Sequence, residues 1–506
     1  LHLSLRRQRQ MCIRDSSYTR LLKENLNIQV VYDWTASTSD YDEKMSLCIG
    51  SNTIPEIMNV NATQYRALLK YDMIQPLDKY FDDYASDALK SYVKSGGEEL
   101  QKCITNEDGE LMAIPAPNLT AGGVNEMWIR QDWLDALGLD VPRTWDELAE
   151  VAKAFVTRDP DGNGENDTIG ILGPGNSDHM NAVGGNQFGL DPLFSCFQSY
   201  PQYWLKSEDG SVEYGSIQPE TKTALENISK LYADGVIDPE TLVRSDSKEP
   251  LLAGKVGIFF GPWWCAYTFA DTTLSGSADW RAYFTPLSED GKYYTHMAEP
   301  TTQYVVASKD CKNPEAAFKI INYIVANEQK WVEEGVTSTE MGTGDFYPLY
   351  NTYDNADEIE KSYEALTKYL AGDISMDDVD FSTHKLLKND MEAVTKLKKK
   401  PYDDFSLKYW NLDSDLAKTN LPRLVAIMVG DAPLVNEEYV PVYNAYNGQT
   451  ETMEAKWANL KKMEEETFAK IIMGKADISE FDTFVKNWKN QGGDQILKEI
   501  NDELSK

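Results

Sequence analysis

The stretch VPRTWDELAEVAKAFVTRDPDGNGENDTIGIL, residues 141–172, carries the strongest indication of the fold of this chain. Thr144 is placed as a helix N-cap, and Glu147 three residues later completes a capping box. Apolar residues then recur at helical spacing as far as Phe155, which predicts one buried helix face. After a short loop, Thr168–Leu172 is predicted to form a strand. A helix, a loop and a strand in this order predict an α/β architecture.

The loop inside this stretch reads DPDGNGENDT, Asp159–Thr168. Oxygen-bearing side chains fall at every second position, and glycines between them permit a tight turn. This spacing predicts a structural Ca²⁺ site with the ligands Asp159, Asp161, Asn163, Glu165 and Asp167. An EF-hand loop ends on a glutamate where this chain has Gly170, so further ligands must come from elsewhere. The alternative is a solvated turn of Asp, Asn and Gly without a metal.

Short apolar runs alternate with helical stretches along most of the chain, which favours α/β lobes. Strands are predicted over 28–32, 56–60, 112–115, 125–129, 168–172, 255–260 and 282–286. Helices are predicted over 40–49, 62–71 and 86–94, another begins at Asn313-Pro314, and the chain from 353 onward is mainly helical. A chain of 506 residues is too long for one ordinary core, so at least two lobes are expected.

Composition excludes several classes of function. The chain carries 82 acidic and 49 basic residues, a net charge of −33, which disfavours binding to nucleic acid. No apolar run has the length of a membrane span. Only four histidines are present, and the motifs GxSxG, HExxH, GxGxxG and Walker A are missing from the sequence. A pair of glycosidase carboxylates stays open as an alternative because acidic residues are so numerous.

Aromatic residues near the ends of predicted strands suggest a ligand site. Flat faces of sugar rings stack on Trp and Tyr, while amide and carboxylate side chains bind the hydroxyls. The candidate ligand-binding residues are Trp34, Asn61, Asn118, Trp263, Trp264, Glu299 and Tyr347. Trp263 and Trp264 follow Gly261-Pro262, which ends a predicted strand. The alternative for each ring is packing in a core or between lobes.

The first residues differ from the rest of the chain. Leu1–Ser16 holds four arginines and one acidic residue and has no apolar signal-peptide core. It is interpreted as a foreign segment that is expected to be disordered. A strand–helix–strand protein would have a strand before the helix predicted near residues 18–25, so the first strand of lobe 1 and any export signal are expected to be missing.

Four segments carry a family resemblance. They are MWIRQDWLDALGLDVPRTWDELAEVAKAF at 127–155, DPDGNGENDTIGI at 159–171, KNPEAAFKIINYI at 312–324 and TFAKIIMGKADISEFDTFVKNWKNQGGDQILKEIN at 467–501. Together they resemble the family 1 extracellular solute-binding proteins, the substrate-capturing lipoproteins of bacterial carbohydrate ABC importers. The chain is also similar to the alginate-oligosaccharide binders of this family, which carry a comparable calcium loop.

The resemblance implies a type II periplasmic-binding-protein fold. Its two α/β lobes would enclose an interlobe cleft, with a mainly helical C-terminal part. Lobe 1 is expected to comprise 17–122 and 300–345, and lobe 2 to comprise 123–299 and 346–506. The implied function is capture of an oligosaccharide, without catalysis, for delivery to the permease subunits of an ABC importer. The implied form is a monomeric, extracellular, cell-surface lipoprotein whose lipid anchor is absent from this chain.

Two other functions stay open at the level of sequence. One is the binding of a peptide or another non-sugar solute on the same fold, because a fold does not fix its ligand. The other is glycoside hydrolysis, which would release a product from a glycan.

Overall fold

The computed structural model describes residues 17–176, 187–274, 278–333, 349, 353–381, 384, 386–397, 410 and 415–505. The predictions for Leu1–Ser16 and for Tyr347 lie outside these residues. None of the described helices is long and apolar enough to cross a membrane.

The described residues contain strands and helices throughout. The strands are β1 Ile57–Val60, β2 Ile114–Pro117, β3 Glu126–Arg130, β4 Ile169–Leu172, β5 Trp204–Lys206, β6 Val212–Tyr214, β7 Val256–Gly261, β8 Trp280–Tyr283, β9 Tyr293–His296, β10 Thr301–Ala307 and β11 Tyr439–Val442. The longer helices are Ser17–Leu26, Thr38–Gly50, Ala62–Lys70, Asp87–Ser95, Gly97–Ile104, Trp145–Thr157, Pro219–Ala233, Glu315–Glu333, Glu358–Ala371, Leu387–Leu397, Asp415–Val425, Glu451–Ile472, Glu480–Trp488 and Asp494–Leu504. Shorter helices span Asp78–Tyr84, Gln131–Leu137, Asp191–Ser195, Lys248–Leu252, Ala270–Leu274 and Ala432–Asn436.

These elements form two compact units, each with its own core. Unit 1 holds the described parts of Leu1–Leu119, Pro300–Glu358 and Asp380–Lys385. Unit 2 holds the described parts of Thr120–Glu299, Ile359–Val379 and Leu386–Lys506. Each unit combines a sheet with packed helices, as the alternation in the sequence predicts.

The sheet of unit 1 is antiparallel, in the order β1-β10-β2. Its central strand, β10, is buried from Tyr304 onward and was not recognised in the sequence. Tyr304 stacks on Tyr65 of the helix Ala62–Lys70, with ring centroids 4.5 Å apart. This stacked pair fixes the helix to the sheet through buried apolar area.

The main sheet of unit 2 has the order β4-β7-β3-β8. β4 and β7 are parallel, whereas β3 runs antiparallel to both β7 and β8. Phe155, on the helix Trp145–Thr157, meets the Trp133 ring edge-on at 5.3 Å. Gly257 in β7 admits this side chain, since a Cβ there would lie 2.2 Å from Phe155 Cδ2. The capping box of Thr144 and Glu147 is present as predicted.

Three of the predicted strands differ from the structure, and the one predicted at 112–115 lies two residues later, at Ile114–Pro117. Residues 28–32 form no strand, although Ile28 and Val30 pack on the unit 1 core while Val31 is exposed. The in-and-out alternation is therefore present, but among the described residues no neighbouring strand supplies a hydrogen-bonded ladder. The strand predicted at 282–286 lies earlier, at Trp280–Tyr283, because its register is set by pairing with β3.

Candidate calcium loop and ligand site

The loop after the helix Trp145–Thr157 folds around its own side chains. The backbone N–H groups of Asn163 and Gly164 each donate to one carboxylate oxygen of Asp159, at 3.1 Å and 3.0 Å respectively. Asp159, Gly162 and Gly164 have positive φ angles, which the glycines adopt without strain. Thr168 Oγ1 donates to the carbonyl of Phe155 at 2.7 Å and so joins the end of the loop to the preceding helix.

The donor set of this loop suits a hard cation, since it offers carboxylate and amide oxygens. In the structure, however, these groups bind one another: Asn163 Nδ2 donates to Asp161 at 2.9 Å and to Asp167 at 3.3 Å. The ammonium of Lys255 lies 2.8 Å from Asp167. Within the described parts of the chain, no three His, Cys, Asp or Glu side chains are arranged to hold a metal ion. The chemistry of the loop therefore fits Ca²⁺, while its present side-chain contacts compete with a cation.

The pKa values of the loop side chains reflect the close approach of these charged groups. Partial burial and the neighbouring carboxyl of Asp159 raise the pKa of Asp161. The hydrogen bond from Lys255 lowers the pKa of Asp167, and the same contact raises the pKa of Lys255. Asp161 and Asp159 thus repel each other without a cation between them, whereas Asp167 is already paired.

Two of the unit 1 candidates lie beside the helix Thr38–Gly50. The ring centroids of Trp34 and Tyr41 are 5.4 Å apart. Lys44 Nζ lies 6.0 Å from the centroid of the Trp34 ring. Asn61 is the N-cap of the helix Ala62–Lys70: its side chain accepts from the Gln64 amide at 2.9 Å and donates to Asp42 at 3.1 Å. These contacts give Asn61 a structural role, which its place after a strand did not reveal.

Asn118 is the third unit 1 candidate. It follows β2 directly and is half-buried. Its backbone amide donates to the carbonyl of Pro300 at 2.8 Å, which fixes the main chain where it leaves unit 1 and where it returns. This bond uses the backbone alone, so a ligand-binding role for the Asn118 side chain stays a prediction.

The unit 2 candidates follow β7 and β9. Trp263 and Trp264 open the 3₁₀ turn Trp263–Tyr267, in which Trp263 is buried and Trp264 half-buried. Glu299 is half-buried, and the amide of Asn447, oriented to satisfy its neighbours, donates to Glu299 Oε1 at 3.3 Å. The structure thus assigns Trp263, Trp264 and Glu299 to unit 2, and Trp34, Asn61 and Asn118 to unit 1.

Sequence reasoning missed two buried carboxyls of unit 2, Glu126 and Asp431, and the structure also buries His296. Neither ring nitrogen of His296 has a hydrogen-bond partner among the described residues. Burial lowers the pKa of His296 to about 3, so the ring is neutral. A signal for Glu126 was present, because it is the one acidic residue of the predicted strand that became EMWIR, whose five residues are all buried. Asp431 follows an apolar helix and gave no signal.

Comparison with known proteins agrees with this architecture. The family model for bacterial extracellular solute-binding proteins matches residues 15–331. The fructooligosaccharide ABC transporter substrate-binding protein FusA of Streptococcus pneumoniae serotype 4 is 30% identical over 45% of this chain and 43% of its own length. The polygalacturonan/rhamnogalacturonan-binding protein YtcQ of Bacillus subtilis is 24% identical over 90% of this chain and 82% of its own length. The match with FusA therefore spans less than half of that relative.

A solved structure extends the likeness to the fold. The alginate-binding protein AlgQ2, crystallised without calcium ion, superposes with a TM-score of 0.57 at 16% identity, covering 97% of this chain and 95% of the other. Fold and comparisons together define a solute-binding protein. The chain belongs to the family of bacterial extracellular solute-binding proteins. The predicted family and fold class are confirmed.

Proposed function

We propose that this chain binds an oligosaccharide outside the cell and delivers it, chemically unchanged, to the permease subunits of an ABC importer. The observation that carries this proposal is the family match over residues 15–331. The relatives named above supply the substrate class, since their names specify oligosaccharides or polysaccharides. Those names include both uncharged and acidic glycans, so they leave the charge of the ligand open.

The proposal includes the molecular form of the protein. Units 1 and 2 correspond to the two lobes, and the protein acts as a monomer held at the cell surface by a lipid anchor. Trp34, Trp263 and Trp264 provide stacking faces for sugar rings, while Asn118 and Glu299 bind hydroxyls. Asn61 and Tyr347 remain proposed ligand residues of lower structural support, because Asn61 caps a helix and Tyr347 lies outside the described residues.

A thermal-shift screen against oligosaccharides and peptides tests the function. A ligand at a hundredfold its Kd adds about 2.7 kcal/mol to the free energy of unfolding, which corresponds to a shift of roughly 5–10 °C for units of this size. A rise with a saccharide, without new reducing ends in the incubated glycan, supports binding without hydrolysis. Released product would favour a glycoside hydrolase, and a rise with peptides alone would favour a non-sugar binder.

The second part of the proposal concerns Ca²⁺. Asp159, Asp161, Asn163, Glu165 and Asp167 would hold the ion, which supplies structural stability and no chemistry. Its binding would replace the hydrogen bonds of Asn163 Nδ2 and relieve the repulsion between Asp159 and Asp161. The site would therefore join the helix Trp145–Thr157 to β4.

Calorimetric titration with Ca²⁺, after removal of metals with EDTA, checks the site. The wild-type protein is expected to bind one strong equivalent of Ca²⁺, and Asp161→Ala, which removes a ligating carboxylate, to lose it. Lys255→Met is expected to tighten binding, because it removes the ammonium that competes for Asp167. Asp209→Ala, at an exposed Asp turn, is the matched control. Equal binding by wild type and Asp161→Ala would rule out this loop as the site.

A further inference from the structure

The sequence contains two Asn-Gly pairs, Asn163-Gly164 in the loop after the helix Trp145–Thr157 and Asn447-Gly448 after β11. Asparagine before glycine is chemically reactive, because glycine has no Cβ to shield its backbone nitrogen. That nitrogen can attack the side-chain amide carbon of the asparagine, close a succinimide ring and release ammonia. Asn163 and Gly164 are both exposed, and Gly164 has a φ angle of 82°. The first pair is therefore open to this reaction.

The nitrogen that would attack is held against a carboxylate. The backbone N–H of Gly164 donates to Asp159 Oδ2 at 3.0 Å. The backbone N–H of Asn163 donates to the other oxygen of the same carboxylate at 3.1 Å and so fixes its orientation. A general base must lie within hydrogen-bond reach of the proton that it accepts. Asp159 meets this condition for the Gly164 N–H.

The side-chain amide of Asn163 is held at both of its ends. Its Oδ1 accepts from the backbone N–H of Glu165 at 2.6 Å. Its Nδ2 donates to Asp161 at 2.9 Å and to Asp167 at 3.3 Å. When the amide carbon is attacked, negative charge develops on Oδ1, and the Glu165 N–H already points at that oxygen, as a donor in an oxyanion hole does. The loop thus places a base and an oxyanion donor around one pair of reacting atoms.

The second pair has different surroundings. Asn447 and Gly448 are half-buried, and Gly448 lies so close to the Tyr446 ring that a Cβ there would overlap it. The Asn447 amide, oriented to satisfy its neighbours, donates to Glu299 Oε1 and to the carbonyl of Tyr446, both at 3.3 Å. Packing on both residues restricts the rotation that ring closure needs. Asn447 is therefore a natural reference within the same chain.

We propose that Asn163 is a site of self-catalysed deamidation, for which the loop supplies Asp159 as the base and the Glu165 N–H as the oxyanion donor. The Gly164 nitrogen forms a bond to Asn163 Cγ and gives its proton to Asp159. The Cγ–Nδ2 bond then breaks, and the leaving nitrogen takes up one proton and departs as ammonia. Water opens the succinimide at either carbonyl, which leaves aspartate or isoaspartate in place of Asn163. The reaction needs neither a saccharide nor a metal ion.

The product would alter the loop that carries it. Aspartate or isoaspartate cannot make the hydrogen bonds that Asn163 Nδ2 donates to Asp161 and Asp167, and it adds a negative charge beside both. Like charges in such proximity repel one another. Isoaspartate also adds a methylene group to the main chain, so the later oxygen-bearing residues lose their alternating spacing. Deamidation would therefore change the donor set of the loop as the protein ages.

Peptide mapping by mass spectrometry measures deamidation at each pair while the full chain ages in mildly alkaline buffer with EDTA. The same chain in guanidinium chloride gives reference rates, because both pairs are then without folded neighbours. In the folded protein Asn163 is expected to react about tenfold faster than in guanidinium chloride, since the base and the oxyanion donor act only in the folded loop. Asn447 is expected to react more slowly in the folded protein than in guanidinium chloride.

The first variant, Asp159→Asn, removes the base but keeps an oxygen that accepts from the Gly164 N–H. The introduced amide precedes Pro160, whose nitrogen has no hydrogen to lose, so it adds no second reactive pair. Deamidation of Asn163 is expected to slow about tenfold, which is less than a base of matched pKa contributes, because a carboxylate is a weak base toward a backbone N–H. The rate at Asn447 is expected to stay unchanged.

The second variant, Asp209→Asn, is a matched control that creates a new Asn-Gly pair in another exposed turn. Gly210 has a φ angle of 87°, close to that of Gly164, and the Ser211 N–H donates to the side chain at position 209 at 2.9 Å. The Gly210 N–H, however, donates to the carbonyl of Ser207 at 2.9 Å and not to a carboxylate. This new pair is expected to react about tenfold more slowly than Asn163, because it lacks the base.

Three results would overturn the inference. If Asn163 reacts no faster in the folded protein than in guanidinium chloride, the loop does not promote the reaction. If Asp159→Asn leaves the rate at Asn163 unchanged, Asp159 is not the base. If the new pair of Asp209→Asn reacts as fast as Asn163, exposure alone accounts for the rate. None of these results bears on the proposed binding of saccharides or Ca²⁺.

Discussion

At the scale of single residues, burial determines which acids of this chain keep their protons. Asp431 is fully buried, and neither of its carboxyl oxygens has a partner among the described residues, so its neutral form is favoured. Glu464 is also fully buried, but it accepts hydrogen bonds from Tyr214 and Ser216 at 2.8 Å each. Its pKa is raised only to about 7, whereas that of Asp431 is raised to about 9. The difference follows from the donors that each carboxyl finds.

The raised pKa of Asp431 predicts a pH-dependent stability. The folded state keeps a proton that the unfolded chain loses above about pH 4. The stabilisation is thus fully present below that pH and is lost as the pH rises through about 9, at up to about 1.4 kcal/mol per pH unit. Glu126, also protonated by burial, adds to the same trend, and Glu360 and Glu437 are the acids that act on the pair.

Urea unfolding at pH 5, 7 and 9 measures this effect. Asp431→Asn is expected to lose less stability than the wild-type protein over this interval, because an amide does not titrate. The control is Asp209→Asn, at an exposed position. Parallel pH profiles for Asp431→Asn and the wild-type protein would contradict the assignment.

At the scale of elements, the helix Trp145–Thr157 depends on its first turn. Thr144 Oγ1 accepts from the amide of Glu147 at 3.3 Å, and the Glu147 carboxylate accepts from the amides of Arg143 and Thr144. These hydrogen bonds satisfy backbone N–H groups that have no acceptor within the helix, because they lie at its N-terminus. The bonds from Arg143 and Thr144 also hold the pKa of Glu147 below its usual range.

Thr144→Ala is expected to lower the free energy of unfolding by about 1 kcal/mol. Thr223→Ala is the matched control, since Thr223 is exposed within the helix Pro219–Ala233 and alanine is the better helix former there. The control should be neutral or slightly stabilising in the same chemical denaturation experiment. An equal loss in both variants would indicate that the capping bond contributes nothing.

At the scale of the whole molecule, the net charge of −33 opposes compactness through self-repulsion. The melting temperature in EDTA is therefore expected to rise as NaCl increases from about 0.01 M to about 0.1 M, over which the Debye length falls from about 30 Å to about 10 Å. A further rise with millimolar Ca²⁺ at constant ionic strength would be specific to the loop. A fall in melting temperature with NaCl would show that attractive surface ion pairs outweigh the repulsion.

Residue patterns along the chain were enough to identify the family, the α/β class and the local elements with strong signals. The pattern was sufficient for the capping box at Thr144, for the helix that follows and for the strands β1, β3, β4 and β7, because these elements depend on neighbouring residues or on short apolar runs. The five oxygen-bearing residues of the loop were visible for the same reason. Whether their oxygens face a cation or one another depends on contacts with Lys255 and Phe155, which spacing does not encode.

The remaining features of the fold and of the buried groups depend on contacts between segments that are distant in the chain. β10 lies between β1 and β2 although it begins at Thr301, far along the chain from Val60 and Pro117, where those two strands end. Residues 28–32 have a strand-like pattern without a described strand to pair with. The segment of Asp431 approaches Trp263 because Gly430 admits the close contact, and Glu126 is brought there by its register with β7. Long-range pairing, burial and the absence of a hydrogen-bond partner arise from packing between distant segments, and no local sequence pattern carries that information.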